Sequence, residues 1–162
     1  MNKYIKYTSY VIKHKWFVFL ECLRLGKYNP NASIKLGLFL RGIVHDMSKF
    51  GPFEFSQYME YFAGKDSPNR QANFDRAWNH HQKFNKHHWQ HHILLRDDGS
   101  MEVLEMPELD AYEMVADWVG AGIAIHGRRE IKEWYKANYD KIQLHPNTRG
   151  LVDFLIFEYI DE

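Results

Sequence analysis

Along the first 25 residues apolar side chains return at steps of three and four. Tyr7, Val11, His14 and Val18 fall on one line, with Lys13 and Lys15 off it. That period predicts a helix over residues 4–25, closed by Gly26 and Asn29-Pro30. A second helix is expected over residues 33–49, broken by Gly51, and a third from Pro52 to near Gly64. Ser67-Pro68 opens a long helical stretch through a histidine-rich region, with an interruption near Asn85-Lys86. Residues 96–100 form a polar turn, and Pro107 opens a helix that Gly127 terminates after His126. Helices over residues 130–139 and 148–159 complete the set, and only residues 101–104 read as strand, too short to build a sheet. The pattern predicts an all-α, single-domain bundle of six to seven helices covering residues 1–162.

Length agrees with one domain: 162 residues support a single hydrophobic core. With 21 basic and 21 acidic residues the chain has no net charge, which removes a bulk electrostatic case for an extended nucleic-acid surface or an anionic membrane. No run approaches the roughly 18 apolar residues of a spanning helix, and the opening MNKYIKYTSY lacks a signal-peptide core, so a cytoplasmic protein without a membrane partner is expected. A single cysteine, Cys22, leaves nitrogen and oxygen as the available metal donors. Histidine is the unusual residue: there are ten, six of them between His80 and His92.

Four segments put metal-competent side chains on faces that read as buried. His14 sits within the apolar stripe of the first helix, where a core histidine held by one hydrogen bond is the plain alternative. His45-Asp46 follows the apolar run LFLRGIV, where an ionised carboxylate needs a compensating cation, either a bound metal or Lys49. In a continuous helix His81, Asn85, His88 and His92 would share one face and His80, Phe84, His87 and His91 the next, so one stripe at most would face a site. His80, His91 and His92 are expected at the surface. Glu113 and Asp117 share a face that continues through Gly120, Ala121 and Ala124, small residues that admit a neighbouring helix, whereas Glu108 and Asp110 read as an exposed acidic first turn. The five tryptophans, Trp16, Trp78, Trp89, Trp118 and Trp134, are expected to fill the core. Together the segments predict a site of four to six nitrogen and oxygen ligands for one or two divalent ions, Fe, Mn, Mg, Zn, Co or Ni.

The order His14, His45-Asp46, a later histidine and Asp117 resembles the HD-domain metal-dependent phosphohydrolases. His45-Asp46-Met47-Ser48-Lys49 is similar to the HDxxK form of members with two metals, and His87-His88 to their paired histidines. The phrases HDMSKF, AWNHH, NKHHW and MVADW match more closely an uncharacterised family of small bacterial and phage proteins. The resemblance implies an HD-like fold in which His14, His45, Asp46 and Asp117 bind one metal. Asp46 would bridge to a second ion held by His81 and His88 or His87, with Lys49 contacting phosphate. It implies hydrolysis of a small phosphate ester, a nucleotide foremost, by metal-activated water. Arg41 would add local attraction, and Glu113 would serve as general base or as a partner of the ligands. Glu54, close in sequence to the His-Asp pair, is a further candidate for the site. A di-iron oxygenase of HD type and a non-catalytic metal- or nucleotide-binding protein are the alternatives.

Overall fold

The computed structural model describes residues 2–160, and among them helices dominate. Helix α1 (Lys3–Tyr28) starts where the Asn2 side chain accepts from the Tyr4 amide at 3.0 Å, satisfying one of the first-turn donors. Helix α2 (Ala32–Val44) starts the same way, Asn31 accepting from the Ser33 amide at 2.9 Å. A 3-10 turn (Met47–Phe50), α3 (Phe55–Ala63) and α4 (Arg70–Phe84) follow. A second 3-10 turn (Trp89–His92) leads into a hairpin, β1 (Ile93–Leu95) with β2 (Met101–Val103). Its strands are antiparallel with Ile93 opposite Val103, and Gly99 at φ 83° makes the turn. Helix α5 (Glu108–His126) ends at Gly127, whose φ of 72° is left-handed as at many helix ends. Helix α6 (Ile131–Asn138) and α7 (Pro146–Phe154), continued by a π-helical turn (Leu155–Tyr159), finish the described chain.

The all-α expectation holds, with three differences. Residues 93–95 and 101–103 pair as a small sheet, because the polar turn between them lets each strand supply the hydrogen bonds the other lacks. Helix α2 stops at Val44 instead of running to residue 49: His45 is extended and Asp46 takes φ 53°, ψ 25°. Helix α4 stops at Phe84, at the interruption expected near Asn85-Lys86, but the chain beyond is a bend and a 3-10 turn instead of renewed helix.

The main core joins Val18, Cys22 and Leu25 of α1 to Met114, Val115 and Val119 of α5 and to Val152, Leu155 and Ile156 near the C-terminus. A smaller cluster of Tyr7, Val11, Tyr58, Met59 and Ala77 ties α1 to α3 and α4. Not every tryptophan enters these cores; Trp16 is 57% and Trp134 44% exposed. Helices α1 and α5 touch at Gly120, where a Cβ would lie 2.8 Å from the Val18 amide nitrogen. His14 is one turn before Val18 and Asp117 one turn before Gly120, so this contact brings the two side chains together.

Candidate metal centre

His14, His45, Asp46, His81, His87, His88 and Asp117 are buried and converge between α1, α4, α5 and the turn after α2. His14 Nε2 is 3.1 Å from Asp117 Oδ1 and 3.4 Å from Asp46 Oδ2. His45 Nε2 is 3.4 Å from the same two oxygens. On the other side of Asp46, Oδ1 is 3.3 Å from His81 Nε2 and 3.5 Å from His87 Nε2, with His88 completing the group. Two donors each ~2.1 Å from one ion stand about 3.0 Å apart at right angles and about 3.4 Å apart at the tetrahedral angle. The observed spacings match this range. Asp46 therefore turns one carboxylate oxygen to each group of histidines.

Apart from Asp46 Oδ2, which pairs with the Lys49 ammonium at 2.5 Å, the donor atoms have few partners outside their own group. His14 Nε2, His45 Nε2, His81 Nε2, His87 Nε2, His88 Nε2 and Asp46 Oδ1 are buried without a hydrogen-bond partner. Such groups are normally paired, and an orphaned set aimed at common points fits a bound cation. On His45, His81 and His87 the opposite ring nitrogen faces a carboxylate, whereas His14 Nδ1 is buried without a partner. Glu113 Oε1 accepts from His45 Nδ1 at 2.9 Å and faces His87 Nδ1 at 3.4 Å. Glu54 accepts from His81 Nδ1 and His80 Nδ1, both at 2.8 Å. A carboxylate on Nδ1 fixes the proton there and turns the Nε2 lone pair inward, the arrangement of ligating imidazoles.

Electrostatics point the same way. Burial opposes ionisation of Asp46, yet His45, Lys49 and His81 hold its carboxyl well below the usual carboxylate range. Asp117 is likewise buried and held low by His14 and His45. Burial disfavours a charge on His45, but the Asp46 carboxylate outweighs it and raises the imidazole well above the usual histidine range. The field that draws a proton to this nitrogen draws a metal ion equally. Burial, with His87 adding to it, pushes His88 well below the histidine range and leaves its lone pair available.

Local backbone makes the convergence possible. Asp46 is the one non-glycine residue at positive φ among those described, a conformation that costs of order 1 kcal/mol or more and collects at functional sites. It lets consecutive residues His45 and Asp46 face one centre. The Lys15 ammonium bonds the His45 carbonyl and lies 3.4 Å from that of Ile43, occupying the end of α2. Farther along, the Asn85 side chain donates to the His81 carbonyl at 2.9 Å and to Ser48 Oγ at 3.0 Å, closing α4 where the chain bends. Past that bend His87 and His88 both reach the centre, which adjacent positions of a straight helix would not allow.

Some expectations change at this point. The one-stripe rule for the histidines fails with the helix that justified it. His92 is buried and bonded to the Lys86 carbonyl at 2.8 Å, so it is not a surface residue. His80 and His91 are half-buried, the first on Glu54 and the second on the Lys83 carbonyl at 2.7 Å. Asp110 is not an exposed first-turn acid: it is buried and 2.7 Å from Arg41. Arg41 also donates to Glu113 Oε2 at 2.8 Å, so it braces Asp110 and Glu113 of α5 against α2. With Oε1 on His45 and Oε2 on Arg41, Glu113 links the imidazole to the guanidinium and holds both in place. Glu54, a further candidate from the sequence, is fully buried and is the acidic partner of His80 and His81. Lys49 lies 2.5 Å from Asp46 Oδ2, and despite burial that carboxylate keeps its ammonium charged.

No curated protein and no solved structure matches the chain. A family model described as "Family of unknown function (DUF5662)" matches residues 3–157, and the chain belongs to that family.

Proposed function

We propose that this protein is a metal-dependent phosphohydrolase acting on a small phosphate ester, a nucleotide foremost. The observation that carries the reading is Asp46, whose two oxygens each face a separate group of buried, unpaired histidine nitrogens. One group is completed by Asp117 and the other by His88. Two divalent ions bound there would lower the pKa of water towards ~7 and neutralise charge on a phosphoryl group.

The chain's own residues do the rest. Hydrolysis adds a water oxygen to phosphorus and breaks the ester P–O bond, so negative charge grows on the phosphoryl oxygens and the leaving oxygen departs with a proton. Lys49 supplies a fixed positive charge beside the ligands; its side chain is 14% and that of Asp117 13% exposed, the most open of the groups around Asp46 Oδ2. Substrate enters on that side, next to Tyr10, whose ring stacks on His14 with centroids 6.2 Å apart. Glu113 with Arg41, and Glu54 with Ser48, keep the imidazoles oriented, so the site does not reorganise during reaction.

The test is elemental analysis of protein purified without a histidine tag, followed by anaerobic assay of phosphate release from nucleotides and sugar phosphates. One or two metal ions per chain and phosphate release are expected. Asp46→Asn should lose metal from both groups, and Lys49→Ala should keep metal while turnover falls about 10²-fold or more. Metal-free wild-type protein, or a fully active Lys49→Ala, overturns the reading. An oxygen-dependent spectral change without phosphate release would assign a di-iron oxygenase instead.

A further inference from the structure

Helix α2 reads ASIKLGLFLRGIV, apolar on every side, and a helix of that composition normally lies inside a protein. Here Leu38 and Gly42 alone are buried in it. Leu36 is 61%, Leu40 52% and Val44 58% exposed, with Phe39 and Ile43 open beside them. Helix α1 adds a second strip at helical spacing, Ile12, Trp16 and Leu20. The strips merge because Gly42 lies against Phe19, where a Cβ would fall 3.1 Å from the Phe19 Cα. The rings of Trp16, Phe19 and Phe39 follow one another at 6.0 Å, and Met47 and Phe50 extend the face past α2. Allowing about 200 Å² for a fully open large apolar side chain, the face exposes roughly 1,000 Å², above the ~300–600 Å² of the largest patch on a typical monomer.

Charge identifies what covers it. The neutral total conceals a split: residues 1–50 hold nine of the 21 Lys and Arg but two of the 21 Asp and Glu, and although Lys3, Arg41 and Lys49 pair with acids elsewhere, Arg24, Lys27 and Lys35 lie at the face. The two acids, Glu21 and Asp46, are both buried, Glu21 on Arg129 and Asp46 in the metal centre. The apolar strip of α1 runs on in register to Arg24 and Lys27, and Lys35 is exposed beside Leu36 on α2. A second copy docking on this face would bring cation to cation.

We infer that the α1–α2 face rests on an anionic lipid surface, its apolar side chains among the acyl chains and its Lys and Arg at the headgroups. No helix among the described residues is long and apolar enough to cross a membrane. The contact is that of an amphipathic surface lying in the interface, which needs apolar area and cations together. It does not depend on the metal centre or its chemistry.

The test is flotation of the full chain with vesicles of phosphatidylcholine alone and of phosphatidylcholine with phosphatidylglycerol. Binding to the anionic vesicles, weakened at least tenfold in high salt, is expected. Lys27→Gln and Lys35→Gln should each weaken it about fivefold, and Leu40→Glu and Val44→Glu should abolish it. These positions are exposed, and circular dichroism and metal content should be unchanged in all four variants. Failure of the wild type to float with anionic vesicles, or equal binding to neutral ones, overturns the inference. A dimer in light scattering that Leu40→Glu splits, without vesicle binding, assigns the face to a second copy.

Discussion

Asp46 concentrates the physics of the site at one position. Its left-handed backbone and the burial of its carboxylate each carry a free-energy cost; Lys49 at Oδ2 offsets part of the second, and a bound cation would offset the rest. Because Asp46 and Asp117 are held below the usual carboxylate range, they stay ionised and ready to bind through mildly acidic pH. The imidazoles must bind neutral, so protons compete with metal there. Asp46 raises the His45 imidazole well above the ordinary histidine range, so metal affinity should rise with pH and go on rising above that range as His45 gives up its proton. Calorimetric titration at several pH values checks this, and a pH-independent affinity would exclude the histidines as ligands. The two acids behind the ring should separate the two metal groups. Glu54→Gln touches His81 alone among the ligands, and Glu113→Gln touches His45 and His87. Each should weaken metal binding about 10- to 100-fold. Glu54→Gln should spare the His14–Asp117 group, which elemental analysis would register as loss of one ion before the other.

At the scale of elements, the helix contact between α1 and α5 sets the width of the site. Gly120→Ala would place a methyl 2.8 Å from the Val18 amide nitrogen, and backbone cannot yield as a side chain would. The expected cost is about 1 to 3 kcal/mol in urea denaturation, with metal lost first from the group that needs His14 beside Asp117. Wild-type stability in this variant would show that the helices part freely there. The same elements explain what the sequence disclosed. His14 was legible because a histidine on an apolar stripe has one direction to face, and Asp117 because small residues on its side of α5 demand a close partner. The interruption near Asn85-Lys86 was legible, and His87 and His88 were named through the family resemblance; that both turn to one centre was not, because the bend is shaped by the Asn85 side chain and by residues distant in the chain. Asp110 was misread for a related reason. Its pairing with Arg41 joins α2 to α5, and a long-range ion pair leaves no periodic trace. The exposed face of α2 could have been read from composition: an all-apolar helix beside an excess of lysine is visible once charge is counted by segment instead of in total.

Across the whole molecule, cohesion is uneven, and this decides what metal does for folding. Helices α1, α5, α6 and α7 share the large apolar core, which includes none of the proposed ligands. Helices α3 and α4 hold on through the small cluster around Tyr7, Tyr58 and Ala77 and through the ligand ring, to which α4 contributes His81 and the following turn His87 and His88. A metal ion there would cross-link the weaker layer to the stronger one. At free metal 100-fold above its dissociation constant a single site adds about 2.7 kcal/mol, and at 2 to 4 °C per kcal/mol for a chain of this size the midpoint should rise by roughly 5 to 10 °C. Removing metal with a chelator should reverse that shift without unfolding α1 or α5, whose packing does not depend on it. Hydrogen exchange should resolve the difference in space: amides of α3 and α4 should exchange faster in the chelated protein, while those of α5 remain protected. Uniform acceleration would mean that the ligands support the entire fold. No change in either layer would mean that the buried imidazoles and carboxylates are stable without a cation, and the metal centre would then have to be abandoned.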